Sequence, residues 1–197
     1  LAVNGIYNIT RTGGFNFGLF PVMDIMSDDG YKGSNPTDAE STIGPFDKFK
    51  HIATESNHSR WWNTLYQGVR RANVVIEKVP AIEMDAALKT RYLAEASFMR
   101  ALFYFDLVRA WGGVPLVTEV TTAPGQSRAT ADEVFELIVD DLTVAIAGLA
   151  EKSSYPATEL GRATRGAAKA LLARVYLFRS DFVNAEKFAM EVINSGE

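Results

Sequence analysis

The run "RALFYFDLVRAWGGVPLV", Arg100 to Val117, constrains the fold more than any other part of the sequence. From about Asp85 to Trp111, Tyr92, Ala96, Met99, Phe103 and Leu107 fill one helical face while Phe98, Leu102 and Phe105 fill another. A helix that is apolar nearly all round has no side to turn to water, so it is expected at the centre of the molecule. Arg91 with Glu95, and Asp106 with Arg109, stand at spacings that let opposite charges meet on one turn. Gly112 suits a left-handed C-terminal cap, Gly113 adds slack, and Pro115 drives Val114 into an extended conformation. The central helix must therefore stop abruptly, and the chain leaves the core along Val114 to Val117.

Four further helical patterns surround it, and no strand alternation persists for more than a few residues. Between Ser59 and Val79 the apolar stripe reads Trp62, Leu65, Tyr66, Val69 and Ile76, with one amide, Asn73, set into it that needs partners if buried. Neighbouring helical positions point about 100° apart, so only one of Trp61 and Trp62 can join that stripe. The count puts Trp62 in the core and leaves Trp61 as either a packing residue or an exposed platform. Thr130-Ala-Asp-Glu133 is a capping box ahead of Val134, Leu137, Ile138, Leu142, Ala145, Ile146 and Leu149. Gly161 to Ser180 lines Ala163, Gly166, Ala167 and Ala170 along one stripe, where a neighbouring helix can approach closely. After a break at Ser180-Asp181, Phe182, Ala185, Ala189, Val192 and Ile193 repeat the period. This last pair resembles a tetratricopeptide-type hairpin. The expected class is all-α, a helical-hairpin scaffold. Such units need neighbours to cover their apolar faces, so residues 1–197 read as one helical N-terminal region of a longer protein, its C-terminal part absent.

Residues Thr12 to Ser56 are the exception: rich in Gly, Asp, Ser and Asn, they are expected to form a long irregular connection, pinned by Phe15, Phe17, Phe20, Met23 and Phe46. So long a connection is usually functional or disordered. What it does is narrowed by what the sequence lacks. A net charge of −4 with scattered Lys and Arg gives no footprint for nucleic acid. The absence of cysteine excludes thiol catalysis, thiolate metal sites and disulfides within these residues. No window is long and apolar enough for a membrane span, and Leu1-Ala2-Val3-Asn4 opens without the basic and apolar parts of a leader, which is then absent or removed. His51 and His58 lack the spacing of a helical zinc pair, and no nucleophile elbow, dinucleotide loop or phosphate loop is present. Asp24 to Gly30 lacks the alternate ligands of a calcium loop, and Asp28-Asp29-Gly30 reads more simply as a turn. No catalytic residue, metal or cofactor is expected. The loop and the start of the next helix carry groups that can serve a sugar, an indole or phenol stacking on a ring and amide, carboxylate or imidazole groups meeting hydroxyls, or that can equally be a packing residue and solvated loop tips. Asp29, Tyr31, Asn35, His58 and Trp61 are the candidates.

The segment "YLAEASFMRALFYFDLVRAWGGVPLV" closely resembles the signature of the SusD/RagB family of surface glycan-binding lipoproteins. "WWNTLYQGVRRANVVIEKV", "DEVFELIVDDLTVAIAGL", "GRATRGAAKALLARVYLF" and "SDDG" resemble other family motifs in the same order. The resemblance implies an all-α tetratricopeptide-like scaffold whose loops bind oligosaccharide over a SusC-like TonB-dependent transporter. It further implies delivery without bond breaking, and attachment to the cell outer membrane by a lipid anchor upstream of these residues. Asn73, Glu95, Arg100, Arg162 and Arg174 match the family's motifs and read as scaffold. The alternatives are a tetratricopeptide-type protein or peptide scaffold, uptake of peptides in place of sugars, and a glycosidase with two carboxyls facing across a cleft.

Overall fold

The computed structural model describes residues 2–27, 29–33, 35, 37–38, 42–120 and 125–196. Its described residues form α1 (Ala2–Tyr7), α2 (Gly13–Phe20), α3 (Gly44–Asp47), α4 (Ser56–Lys78), α5 (Ala86–Trp111), α6 (Ala131–Gly148), α7 (Arg165–Phe178) and α8 (Phe182–Ser195), with short 3-10 and π-helical turns between them and no strand. The chain divides into two compact units, Tyr7–Gln67 and a larger one made of Leu1–Ile6 with Gly68–Glu197.

In the larger unit α5 is the central helix. Asp85 caps its start by accepting from the Leu88 N–H, and thirteen of its residues are buried, among them Met99, Phe103, Phe105 and Leu107. Phe103 is 0% exposed and its ring lies against Gly68 of α4, where an added Cβ would sit 2.4 Å from it. α5 packs on α6, α6 on α7, and α7 on α8. The stop is as abrupt as expected, although Gly112, with φ 69° and ψ −131°, lies outside the left-handed helical well in a region only glycine occupies readily. Val114 is then fully buried, its carbonyl accepting from Ala129, and Pro115 and Arg128 form an isolated antiparallel bridge. The Thr130–Glu133 capping box is present on α6.

The exit segment is held by a buried polar cluster. Asn73, 1% exposed, donates through Nδ2 to the Val117 carbonyl at 2.7 Å and accepts at Oδ1 from Arg100 at 2.8 Å. Arg100 in turn makes a two-pronged pair with Asp141, both contacts 2.7 Å. The Tyr104 hydroxyl accepts from the Val117 N–H at 2.7 Å, and burial pushes that phenol up to about 12. A second cluster centres on Glu95, which is 0% exposed and takes Arg91 and Arg162 at 3.0 and 2.9 Å. Arg109 pairs with Asp106 as its spacing implied. Four of the five family-motif polar residues are thus buried or half-buried scaffold; Arg174 is exposed, its guanidinium 5.8 Å from the Phe105 ring centre.

Two expectations are corrected in the smaller unit. The stretch after Thr12 is not irregular at its start: Gly13–Phe20 is a helix whose N-cap, Thr12, accepts from the Phe15 N–H, followed by a π-helical turn at Pro21–Ile25. And Trp61, not Trp62, is the core indole of α4. Trp61 is 1% exposed, while Trp62 is half-buried with its ring 4.9 Å from that of Tyr66.

Candidate functional site

The smaller unit gathers the candidate groups on the segments around α3. Asp29 is exposed in a turn closed by the Gly30 N–H donating to the Ser27 carbonyl. Asp28, read with it from the sequence, lies outside the described residues. Tyr31 is 77% exposed. It is anchored next door, where the Lys32 N–H donates to Asp47 Oδ1 of α3 at 3.0 Å. The Lys32 ammonium donates to the carbonyls of Asn35 and Asp38. Asn35 is exposed, and its Oδ1 accepts from both the N–H and the hydroxyl of Thr37 at 3.1 and 2.9 Å. What the Asn35 side chain keeps for a ligand is therefore its amide N–H2 donor pair, complementary to hydroxyls.

His58 belongs to a different part of the unit. It is half-buried, edge-on to Phe46 at 5.2 Å and to His51 at 5.6 Å, while His51 stacks flat on Phe46 at 5.2 Å. Burial holds the His58 imidazole below its ordinary value; His51 adds to the effect and Glu55 opposes it. The sign follows from proton uptake. As pH falls through the unfolded value of about 6.5, the unfolded chain binds the proton more readily than the folded one, so stability is lost until the folded value is passed. His58→Gln should flatten the fall in urea midpoint between neutral and mildly acidic pH; an equally steep fall in the variant would clear His58 of that role.

Trp61 does not join the group. Its indole packs beneath α2, where a Cβ on Gly18 would come within 2.2 Å of the Trp61 Cβ, so the expected choice between platform and packing residue resolves to packing. The exposed rings lie elsewhere: Phe17 and Phe20 on α2 at 54% and 40%, and Phe49, just beyond α3, at 63%. Phe49 has φ +51°. Sequence reasoning passed over it, and the only hint available was Pro45 at the start of a short helix ending near Lys48.

Two clefts in the larger unit are poor competitors. One, of about 410 Å³, includes Arg91 and Arg165, and the other, of about 300 Å³, includes Tyr155, Glu159 and Arg162. Their charges are already engaged: Arg91 with Glu95 and Glu159, Arg162 with Glu95 and Asn4, Arg165 with Glu151 and two carbonyls.

Stacked helical hairpins around one buried helix define a tetratricopeptide-like scaffold. A family model described as "Starch-binding associating with outer membrane" matches residues 31–177, and the chain belongs to this SusD-like family. A SusD-like protein of Bacteroides ovatus is 37% identical over 145 residues, 71% of this chain and 26% of its own length. Among solved structures, a laminarin-binding SusD-like protein superposes with a TM-score of 0.84 at 32% identity, covering 97% of this chain and 42% of the other. A structure solved with xylogluco-oligosaccharide superposes with a TM-score of 0.77 at 29% identity, covering 98% and 40%. The chain thus spans less than half the length of each. The family is one of carbohydrate-binding proteins associated with the outer membrane.

Proposed function

We propose that this chain is the scaffold and part of the binding surface of a protein that captures oligosaccharides at the cell surface and delivers them, unhydrolysed, to a SusC-like TonB-dependent transporter. A lipid anchor upstream of these residues holds it at the outer membrane. Tyr31, with Asn35 and Asp29 near it and His58 on the same unit, meets the sugar. The observation that carries this reading is a phenol left 77% exposed beside a backbone N–H that Asp47 holds, in a chain of a carbohydrate-binding family. An aromatic that adds nothing to the core on an anchored loop is suited to stacking on a pyranose face. The neighbouring amide and carboxylate supply the donors and acceptors that fix its orientation.

The remainder of a longer protein completes the scaffold. Phe182, Met190 and Ile193 of α8 are 64%, 45% and 71% exposed, and further helical hairpins would cover them.

Titration calorimetry against laminarin and xyloglucan oligosaccharides tests the reading. Binding without release of shorter products is expected, and Tyr31→Ala should weaken it by roughly three- to tenfold, the value of one aromatic contact. Affinity for peptides with none for any carbohydrate would replace sugar uptake by peptide uptake. Turnover of the oligosaccharide would revive the glycosidase.

A further inference from the structure

We infer that Phe49 and Tyr31 form a two-ring platform along which a neutral glycan chain stacks, and that Phe49 is held in an unfavourable backbone conformation to present its ring. The inference rests on the glycan-binding reading above and gives that site its principal contacts. The turn that ends α3 is a Schellman motif: the Lys50 N–H reaches back to the Pro45 carbonyl at 2.7 Å and the Phe49 N–H to the Phe46 carbonyl at 3.1 Å. In that motif Phe49 occupies the left-handed position where glycine is the usual residue, because a Cβ crowds the following carbonyl. A bulky aromatic there, at φ +51°, is an outlier that normally signals strain repaid elsewhere.

Packing within these residues does not repay it. The Phe49 side chain is 63% exposed, whereas Phe46, three residues earlier on α3, is 0% exposed and supplies the apolar anchor of this turn. The ring is therefore placed at a cost to the fold and left facing solvent. Tyr31 stands on the other segment of the same clasp. It precedes Lys32, whose N–H is bound to Asp47, and Asp47 precedes Phe49 by two residues. Covalent reach plus that single hydrogen bond keeps the Tyr31 and Phe49 Cα atoms within about 15 Å of each other. Two exposed aromatic residues whose Cα atoms are kept within this reach suit an extended ligand with repeated apolar ring faces, which is the chemistry of a neutral oligosaccharide.

The test is a pair of opposed readouts on Phe49→Gly. Glycine relieves the strain, so the urea midpoint is expected to stay level or rise, while affinity for laminarin or xyloglucan oligosaccharide falls about tenfold. Phe49→Trp should keep the affinity, and its indole fluorescence should shift on adding the oligosaccharide. Val144→Ala, on an exposed position of α6, is the control and should leave affinity unchanged. If the protein binds oligosaccharide and Phe49→Gly binds it equally well, the platform is refuted while the glycan-binding function stands. If Phe49→Gly lowers the midpoint, Phe49 is a structural residue and the inference fails on that arm. If the wild-type protein binds no carbohydrate, both readings fall together.

Discussion

Asp141→Ala is expected to lower the stability of the larger unit by about 3–5 kcal/mol, the loss found when one member of a buried ion pair is removed and its partner is left in place. Arg100 and Asp141 are 9% and 5% exposed at the side chain, so a guanidinium left without its carboxylate stays largely screened from water. The penalty exceeds what the pair contributes. Burial pushes the Asp141 carboxyl above its ordinary range, and Arg100 hydrogen-bonded against it pulls the other way. A carboxyl raised in the folded state gives stability that is complete below the unfolded value and is lost as pH rises through the folded one, the reverse of the His58 effect. Removing both charges therefore tells more than removing one. Arg100→Met with Asp141→Leu should recover much of the loss, leaving roughly 1–3 kcal/mol for the Asn73 Oδ1 that no longer has Arg100 to accept from. Urea melts of the single and double variants measure this. An Asp141→Ala midpoint shift worth under about 1 kcal/mol would mean that the site admits water.

That cluster was legible in the sequence, and the reason is instructive. Asn73 interrupts an apolar stripe, and a polar group set into a buried stripe has to find partners; Arg100 reads as scaffold through its match to a family motif. The partners could not be read in advance, since Asp141 is 41 residues from Arg100 and the Val117 carbonyl 44 from Asn73. The central helix, its abrupt end and the capping box of α6 were equally plain, because each depends on local spacing. The indole register was not. Stripes through Trp62 and through Trp61 fit the helical period of α4 about equally well when only large apolar residues are counted. What decides is Gly18 of α2, whose bare backbone lies against the root of the Trp61 side chain. Closest approach is made by the smallest side chains, which carry almost no weight in a hydrophobic pattern. The candidate site was hidden for a different reason. Exposed loop residues have no period, and the strained turn at Phe49 is a matter of backbone angle that the letters "DKFK" do not declare.

Gly18→Ala carries the same reasoning to a measurable sign reversal. Helix propensity alone says the substitution should stabilise α2 by about 1 kcal/mol, since glycine in a helix interior is the weaker former. Packing says the opposite. The new methyl would stand 2.2 Å from the Trp61 Cβ, 2.5 Å from its Cγ and 2.9 Å from its Cα, so it meets the root of the side chain and the backbone of α4 rather than a ring edge that could swing aside. Relief requires moving one helix against the other, and overpacking of this kind costs about 1–3 kcal/mol or more, which outweighs the propensity gain. A net loss of roughly 2 kcal/mol is expected, with Trp61 gaining exposure that its fluorescence would report. Gly14, four residues earlier, has Thr64 Oγ1 at 2.1 Å from its virtual Cβ and should behave alike. Gly166, near the start of α7, meets only Thr164 Oγ1 at 3.9 Å and should follow propensity instead, with a small gain. If Gly18→Ala and Gly166→Ala both stabilise, α2 does not lie on Trp61, and the indole returns to the surface as a candidate for the sugar.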